Sequence, residues 1–348
     1  MNKEINPFPG CPALDGYHCQ TNSLAKIFHF HNSPLTEDML LGLGSGMGFI
    51  YWKMKMGTED SIFIGGRGNN KGFFNDIGQR TGVKIRAIST GSLKKAQESL
   101  IAKLLKEEPV MLFGDMGFLP WFEFPEEYHF GGHTFIVCGF DGINSVLCSD
   151  IDARAAGLKK GFYHAITLEQ LSKARGSKFK PFPPGNTYLE FDFSGFHQPG
   201  AEDIYSAMKQ TIDSQMNPPI RNIGIRGIAH ASKELMKWPE LFSDHELRMN
   251  LFSLYIYIEV GGTGGGCFRY MYSRFLAESA KLTGNEKLLG PSEKFRKSGD
   301  LFSTIGQLFA DAETADDLKE KIHRASVNFS EIQSIESDAF NQLSGAVN

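Results

Sequence analysis

The sequence predicts an α+β domain over residues 1–197 followed by an all-helical domain over 198–348. Three observations carry this expectation. At 348 residues the chain exceeds what one core sustains, since single cores stop growing near ~250 residues. Up to Phe193 the apolar residues fall in short runs broken by glycine, proline and asparagine, the pattern of strands and turns. Beyond Pro199 they recur only at helical spacing, and the stretch Phe196 to Gly200 marks the boundary.

In chain order, Leu24, Ala25, Ile27, Phe28 and Phe30 repeat at near-helical spacing, so a helix covers Asn22 to Phe30 and Cys19 falls at or just before its first turn. Ser33-Pro34 opens a second short helix, with Glu37 and Asp38 in its first turn and its end at Gly42. A glycine run (Gly42, Gly44, Gly46, Gly48) then leads toward a strand. Strands are expected at Ser61–Ile64 and Val83–Ile88, with the turn-like GGRGNNKG between them. Ser92 caps an amphipathic helix reaching about Lys106. After Pro109 come PVMLFGD, HTFIVCGF and SVLCSD, the last two joined by DGIN, an Asp-Gly hairpin signal. Their low charge implies a buried sheet. TYLEFDF, Thr187 to Phe193, adds another strand. The helical region divides into Ala201–Met216, Ile223–Lys237, Asp244–Glu259, Cys267–Leu282, and Ser292 onward with a break near Thr314.

Composition narrows the function. Apolar residues make up 41% and charged residues 22%, a balance that fills a core rather than leaving the chain disordered. A net charge of -4 without a basic block argues against nucleic acid as a partner. No run of eighteen apolar residues could span a membrane, and MNKEINPFPGCP lacks the apolar stretch of a signal peptide, so a cytoplasmic location is the default expectation. The five cysteines (Cys11, Cys19, Cys138, Cys148, Cys267) are scattered with no CxxC pair, so neither a disulfide framework nor a zinc site is expected. His29 and His31, two apart on one helix, cannot chelate a metal together.

Cys19 is the residue best placed for chemistry. A helix N-terminus lowers a thiol pKa, because its unpaired N–H groups and macrodipole favour the thiolate. Such a nucleophile needs a histidine as base and a third group to orient it. His133 opens the strand HTFIVCGF, and Asp150 closes its hairpin partner 17 residues later, which makes the two neighbours. Asp152 is the rival third member, His129 the rival base, and Cys11 the rival thiol.

A cysteine before a helix, a histidine opening a strand and an acid ending the next is also the chain order of papain-like cysteine enzymes. More specifically, HCQTNSLAKIFHFHNSPLTEDMLLGLGSGMGFIYW and GGHTFIVCGFDG resemble the N-terminal domain of the butirosin biosynthesis protein H family, and GGTGGGCFRYMYSRFLAESA resembles its accompanying helical domain. The resemblance implies a papain-like first domain, a cysteine acyltransferase, and an acyl carrier protein or pantetheine thioester as donor to a small-molecule amine acceptor. The phosphopantetheine thioester is then substrate, and no cofactor is expected. It further implies that Cys19 carries the acyl group, His133 acts as base and Asp150 orients it. A cysteine peptidase or amidase, and a catalytically inactive binding protein on the same scaffold, are the alternatives.

CPALDGYHC contains no glutamine to serve as the usual oxyanion donor of papain-like peptidases. The backbone N–H of Cys19 is the expected replacement, helped by His18 or Gln20. Gly44 and Gly46 are expected to line the cleft by close backbone passage. Trp121, with Phe122 and the glutamates of WFEFPEEYHFGG, is a candidate acceptor pocket for a cationic amine. Arg269, beside the glycine cluster Gly261 to Gly266, is a candidate anion contact, although tight helix packing explains those glycines equally well.

Overall fold

The computed structural model describes residues 5–56, 59–125, 128–152 and 156–348, which divide into two compact units. One contains residues 5–40 and 81–198; the other contains 41–80 and 199–348. This differs from the single expected boundary at 197/198. Residues 41–80, read as part of the first domain, fold with the helices.

The first unit is built on a six-stranded antiparallel sheet. Its strands are β3 (Lys84–Ile88), β4 (Val110–Gly114), β5 (His133–Phe140), β6 (Ser145–Ile151), β7 (Gly161–Thr167) and β8 (Tyr188–Asp192), in the order β3-β8-β4-β5-β6-β7. The β5–β6 hairpin turns where the sequence signals it. Asp141 Oδ1 accepts from the N–H groups of Ile143, Asn144 and Ser145 at 2.8–3.0 Å, and Gly142 takes φ +83°. Helix α1 (Cys19–Phe30) packs across β4, β5 and β6. His18 caps it, with extended backbone and Nδ1 accepting from the Thr21 N–H at 3.4 Å. Helix α2 (Glu37–Leu43) begins in this unit and runs one residue past the expected stop at Gly42.

Ser92 caps α4 (Leu93–Leu104), which fills one side of the core with Leu100 and Leu104 against Val110, Leu112, Phe135 and Val137. Strand β7 and helix α5 (Leu168–Gly176) had no counterpart in the sequence reading. The strand is mostly half-exposed, so it lacks an alternating burial pattern, whereas Thr167 and Gln170 form a full capping box at the start of α5.

The second unit combines a hairpin, β1 (Met47–Met56) and β2 (Glu59–Arg67), with the short helix α3 (Phe73–Thr81) and the helices α6 (Ala201–Met216), α7 (Gly224–Leu235), α8 (Trp238–Leu241), α9 (Asp244–Tyr255), α10 (Arg269–Thr283), α11 (Leu289–Leu308) and α12 (Leu318–Val347). The apolar face of the hairpin explains why it folds here. Phe49 is buried with its ring 6.0 Å from Phe302 and 6.2 Å from Phe329. Tyr51 accepts from Trp238 Nε1 at 3.1 Å and exchanges backbone and side-chain bonds with Asn222, while Asn250 Oδ1 accepts from the Ile62 N–H at 2.7 Å. Among the described residues, no helix is long and apolar enough to cross a membrane.

At the centre of this unit Arg269 and Glu336 form a fully buried ion pair, with Nε–Oε1 at 2.8 Å and Nη2–Oε2 at 3.1 Å. Ser298 also donates to Glu336, and Arg269 Nη1 reaches the carbonyls of Gly48 and Cys267. Removing one partner leaves an uncompensated buried charge. The Glu336→Ala variant is therefore expected to lose about 3–5 kcal/mol of stability, read as a lowered urea midpoint.

Candidate functional site

The site forms where the N-terminus of α1 meets the start of β5 and the end of β6. Cys19 is the first residue of α1 and is partly exposed, whereas Cys11, Cys138, Cys148 and Cys267 are buried. His133, which is almost fully buried, favours the Cys19 thiolate, and Cys19 in turn favours the imidazolium. His133 Nε2 lies 2.8 Å from Asp150 Oδ2. The same carboxylate oxygen accepts from Trp121 Nε1 at 3.0 Å. An ionised carboxylate only accepts, so Nε2 carries a proton and Nδ1 is the nitrogen left to face the thiol. The structure thus brings Cys19, His133 and Asp150 together in one chain of contacts.

The β5–β6 ladder explains the geometry. Ile136 pairs with Ser149, and continuing that register sets Asp150 across from Phe135, on the diagonal from His133. Of the two acids considered, Asp150 is the one that meets His133. Asp152 instead acts on Lys159, and its backbone N–H donates to the Lys160 carbonyl at 3.2 Å.

Burial opposes the charged form of both reacting groups, and the contacts outweigh it. For Cys19, burial pushes the thiol pKa up, but the hydrogen bond and charge of His133 and the backbone and side chain of Thr134 bring it below its ordinary value. For His133, burial pushes down, and Asp150 together with Cys19 raises it to about 10. The contacts thus favour the thiolate at Cys19 and the imidazolium at His133, the charge state of an activated cysteine.

Several supporting residues escaped the sequence reading. Glu37 is buried beneath the start of α1, where it accepts from the N–H groups of Tyr17 (2.9 Å) and His18 (3.2 Å), Thr21 Oγ1 (2.5 Å) and Asn22 Nδ2 (3.3 Å). It fixes the turn that presents Cys19. Burial raises its pKa against these donors. Lys26, fully buried about two turns further along α1, donates to the Asp150 carbonyl at 3.3 Å. Lys159, bridged through its backbone to Gly16, is also buried; burial draws its pKa down to about 8, while Asp152 and Cys19 favour its charge. A glutamate in the first turn of a helix is too common a signal to single out Glu37.

The other sequence candidates fall differently. His18 is buried as the cap of α1, and Gln20 follows Cys19 half-buried in the first turn. Trp121 is not a pocket wall: its buried indole is turned to Asp150 and packs against Phe135 at 5.7 Å. The reason is that a buried indole N–H needs an acceptor, and Asp150 supplies it. Glu126 and Glu127 of that loop lie outside the described residues. His129 serves elsewhere, with Nδ1 3.0 Å from the fully buried Asp115 and its ring stacked 3.4 Å from Phe179. Cys11 is buried against Cys138.

Gly44 and Gly46 belong to the second unit, where a Cβ at either would overlap Phe73. Close packing accounts for them. Arg269 is likewise committed to Glu336 and two carbonyls, which corrects its reading as an anion contact. The neighbouring glycine cluster is also occupied, since Gly265 N donates to Thr263 Oγ1 and Gly266 N to Glu259 Oε1. Among the described residues, no group of three or more His, Cys, Asp or Glu side chains could hold a metal.

Comparison with known proteins gives two family matches. The model described as butirosin biosynthesis protein H, N-terminal, matches residues 18–150, a span that begins one residue before Cys19 and ends on Asp150. A domain of unknown function, DUF4872, matches residues 169–343. No curated protein matches the chain. The first match implies a biosynthesis-related enzyme.

The electrostatics give a direct test. A thiol with a lowered pKa keeps its reactivity above the folded-state value and loses it only as pH falls through that value. Iodoacetamide is therefore expected to label one cysteine, Cys19, at pH 7, below the ~8.5 of a free thiol. Asp150→Asn removes the charge that favours imidazolium and should slow labelling at pH 6 by about tenfold or more, since one pKa unit changes the thiolate fraction tenfold. Labelling is read by peptide mass spectrometry.

Proposed function

The chain belongs to the butirosin biosynthesis protein H family, and we propose that it is a cysteine acyltransferase whose first unit has a papain-like architecture. The observation that carries this reading is the chain of contacts from the partly exposed Cys19 through buried His133 to Asp150 Oδ2, 2.8 Å away. An N-terminal helix bearing the cysteine, packed on an antiparallel sheet bearing the histidine and acid on adjacent strands, supports the papain-like assignment.

In the first half-reaction the Cys19 thiolate attacks the carbonyl carbon of a donor thioester held by an acyl carrier protein or free pantetheine. The new S–C bond forms, the donor C–S bond breaks, and the imidazolium of His133 gives its proton to the departing thiol. The oxyanion is met by the Cys19 N–H, which by its place in the first turn has no intrahelical acceptor. In the second half-reaction a small-molecule amine attacks the acyl carbon. Its proton passes to His133, the bond to Cys19 breaks, and the thiolate–imidazolium pair is restored. Asp150 keeps Nε2 protonated and Nδ1 directed at the sulfur throughout.

Intact-protein mass spectrometry after incubation with a panel of acyl-pantetheine thioesters tests the reading. The wild type is expected to gain the mass of the acyl group and Cys19→Ala is not. Discharge of the acyl-enzyme by an added amine, with water slower, separates transfer from amide or peptide hydrolysis. An absence of acyl-enzyme across the panel, alongside cleavage of a peptide substrate that requires Cys19, would replace transfer with hydrolysis.

A further inference from the structure

Thr134 follows His133 on β5 and is completely buried. Its Oγ1 has no conventional hydrogen-bond partner. A buried hydroxyl without a partner is destabilising and calls for an explanation. The explanation lies at Cys19, because Thr134 sits on the strand against which α1 packs, next to His133, and its backbone N–H and hydroxyl both favour the Cys19 thiolate.

We propose that Thr134 is a dedicated donor to the Cys19 thiolate: its hydroxyl is kept free of other partners so that it can hold the sulfur anion, and it determines how strongly the thiol is activated. This deepens the acyltransferase reading and rests on Cys19 being its nucleophile. The neutral thiol is a poor acceptor, so the hydroxyl is well satisfied only when the thiolate exists. Acylation withdraws that charge, and the acyl group leaving Cys19 restores it. Thr134 therefore favours the free enzyme and helps make Cys19 a leaving group in the second half-reaction.

The charged groups that act on Cys19 are His133 on β5 and Lys159 on the segment bridged to Gly16, with Asp150 acting through His133. A pH profile of Cys19 must therefore be compared between variants that leave these groups in place. Thr134→Val keeps the shape and the β-branched strand preference while removing only the hydroxyl, and Thr134→Ser restores it.

The experiment is the iodoacetamide labelling rate of Cys19 from pH 5 to 9, with thermal melting of the same proteins. Thr134→Val is expected to move the profile to higher pH and slow labelling at pH 6 by about tenfold or more, as loss of one hydrogen bond to a charged group implies. Thr134→Ser should return it to near the wild type. Thermal melting checks that each variant is folded over the pH range in which its labelling is read. A Thr134→Val profile that overlays the wild type, whatever its melting temperature, overturns the inference and leaves Cys19 as nucleophile. Wild-type labelling no faster than free cysteine would instead defeat the underlying reading, and this inference with it.

Discussion

Asp150 is the side chain on which the arrangement around Cys19 depends. Its Oδ2 receives both Trp121 Nε1 and His133 Nε2, its Oδ1 receives the Ile151 N–H at 2.8 Å, and its own carbonyl receives Lys26 from α1. One buried residue thus ties together α1, the loop after β4, β5 and β6. A carboxylate in such surroundings survives as a charge only if every lone pair is met and a cation is near. Trp121 and the Ile151 N–H do the first, and imidazolium and Lys26 the second. The geometry at Cys19 is then a consequence, because a ring anchored through Nε2 has a single nitrogen left to offer.

The charges around this node are matched in kind. Asp150 and Glu37 are buried acids, Lys26 a buried base that feels both, and His133 a cation raised to about 10. Glu37 acts on geometry rather than charge. By gathering the Tyr17 and His18 N–H groups with Thr21 and Asn22, it holds the backbone turn that delivers Cys19 to the helix start. The first Cys19 atoms are therefore positioned by an acid 18 residues away in sequence, while their reactivity is set by residues on β5.

That division explains what the sequence allowed to be read. Cys19, His133 and Asp150 were legible because each carries a local signal: a helix start, a strand start after Gly131-Gly132, and the end of a hairpin whose Asp-Gly turn sets the register. Glu37, Lys26, Thr134 and Lys159 were not, since their roles depend on side chains brought together from distant parts of the chain, as Glu37 is with Thr21 and Lys26 with Asp150. The helices after Pro199 were legible from periodicity alone. The assignment of residues 41–80 to the helical unit was not, because the apolar face of a hairpin records that it must be covered and says nothing of which element covers it. Trp121 illustrates the same limit: its size suggested a pocket, whereas its single N–H donor decided its place.

On the proposed mechanism, the same imidazole must serve first as the cation beside a thiolate and then as the base that deprotonates an amine. A pKa near 10 suits the first duty and hinders neither, because part of that elevation comes from Cys19 itself. Once the sulfur carries an acyl group, its charge is gone and that part of the elevation goes with it. Burial, the largest opposing influence, is unchanged and now acts against Asp150 alone. The imidazole is thereby released toward its neutral form at the stage where an amine proton has to be taken. The acyl group thus switches His133 from partner to base with no movement of the ring, since Asp150 and Trp121 hold the Nε2 side fixed throughout.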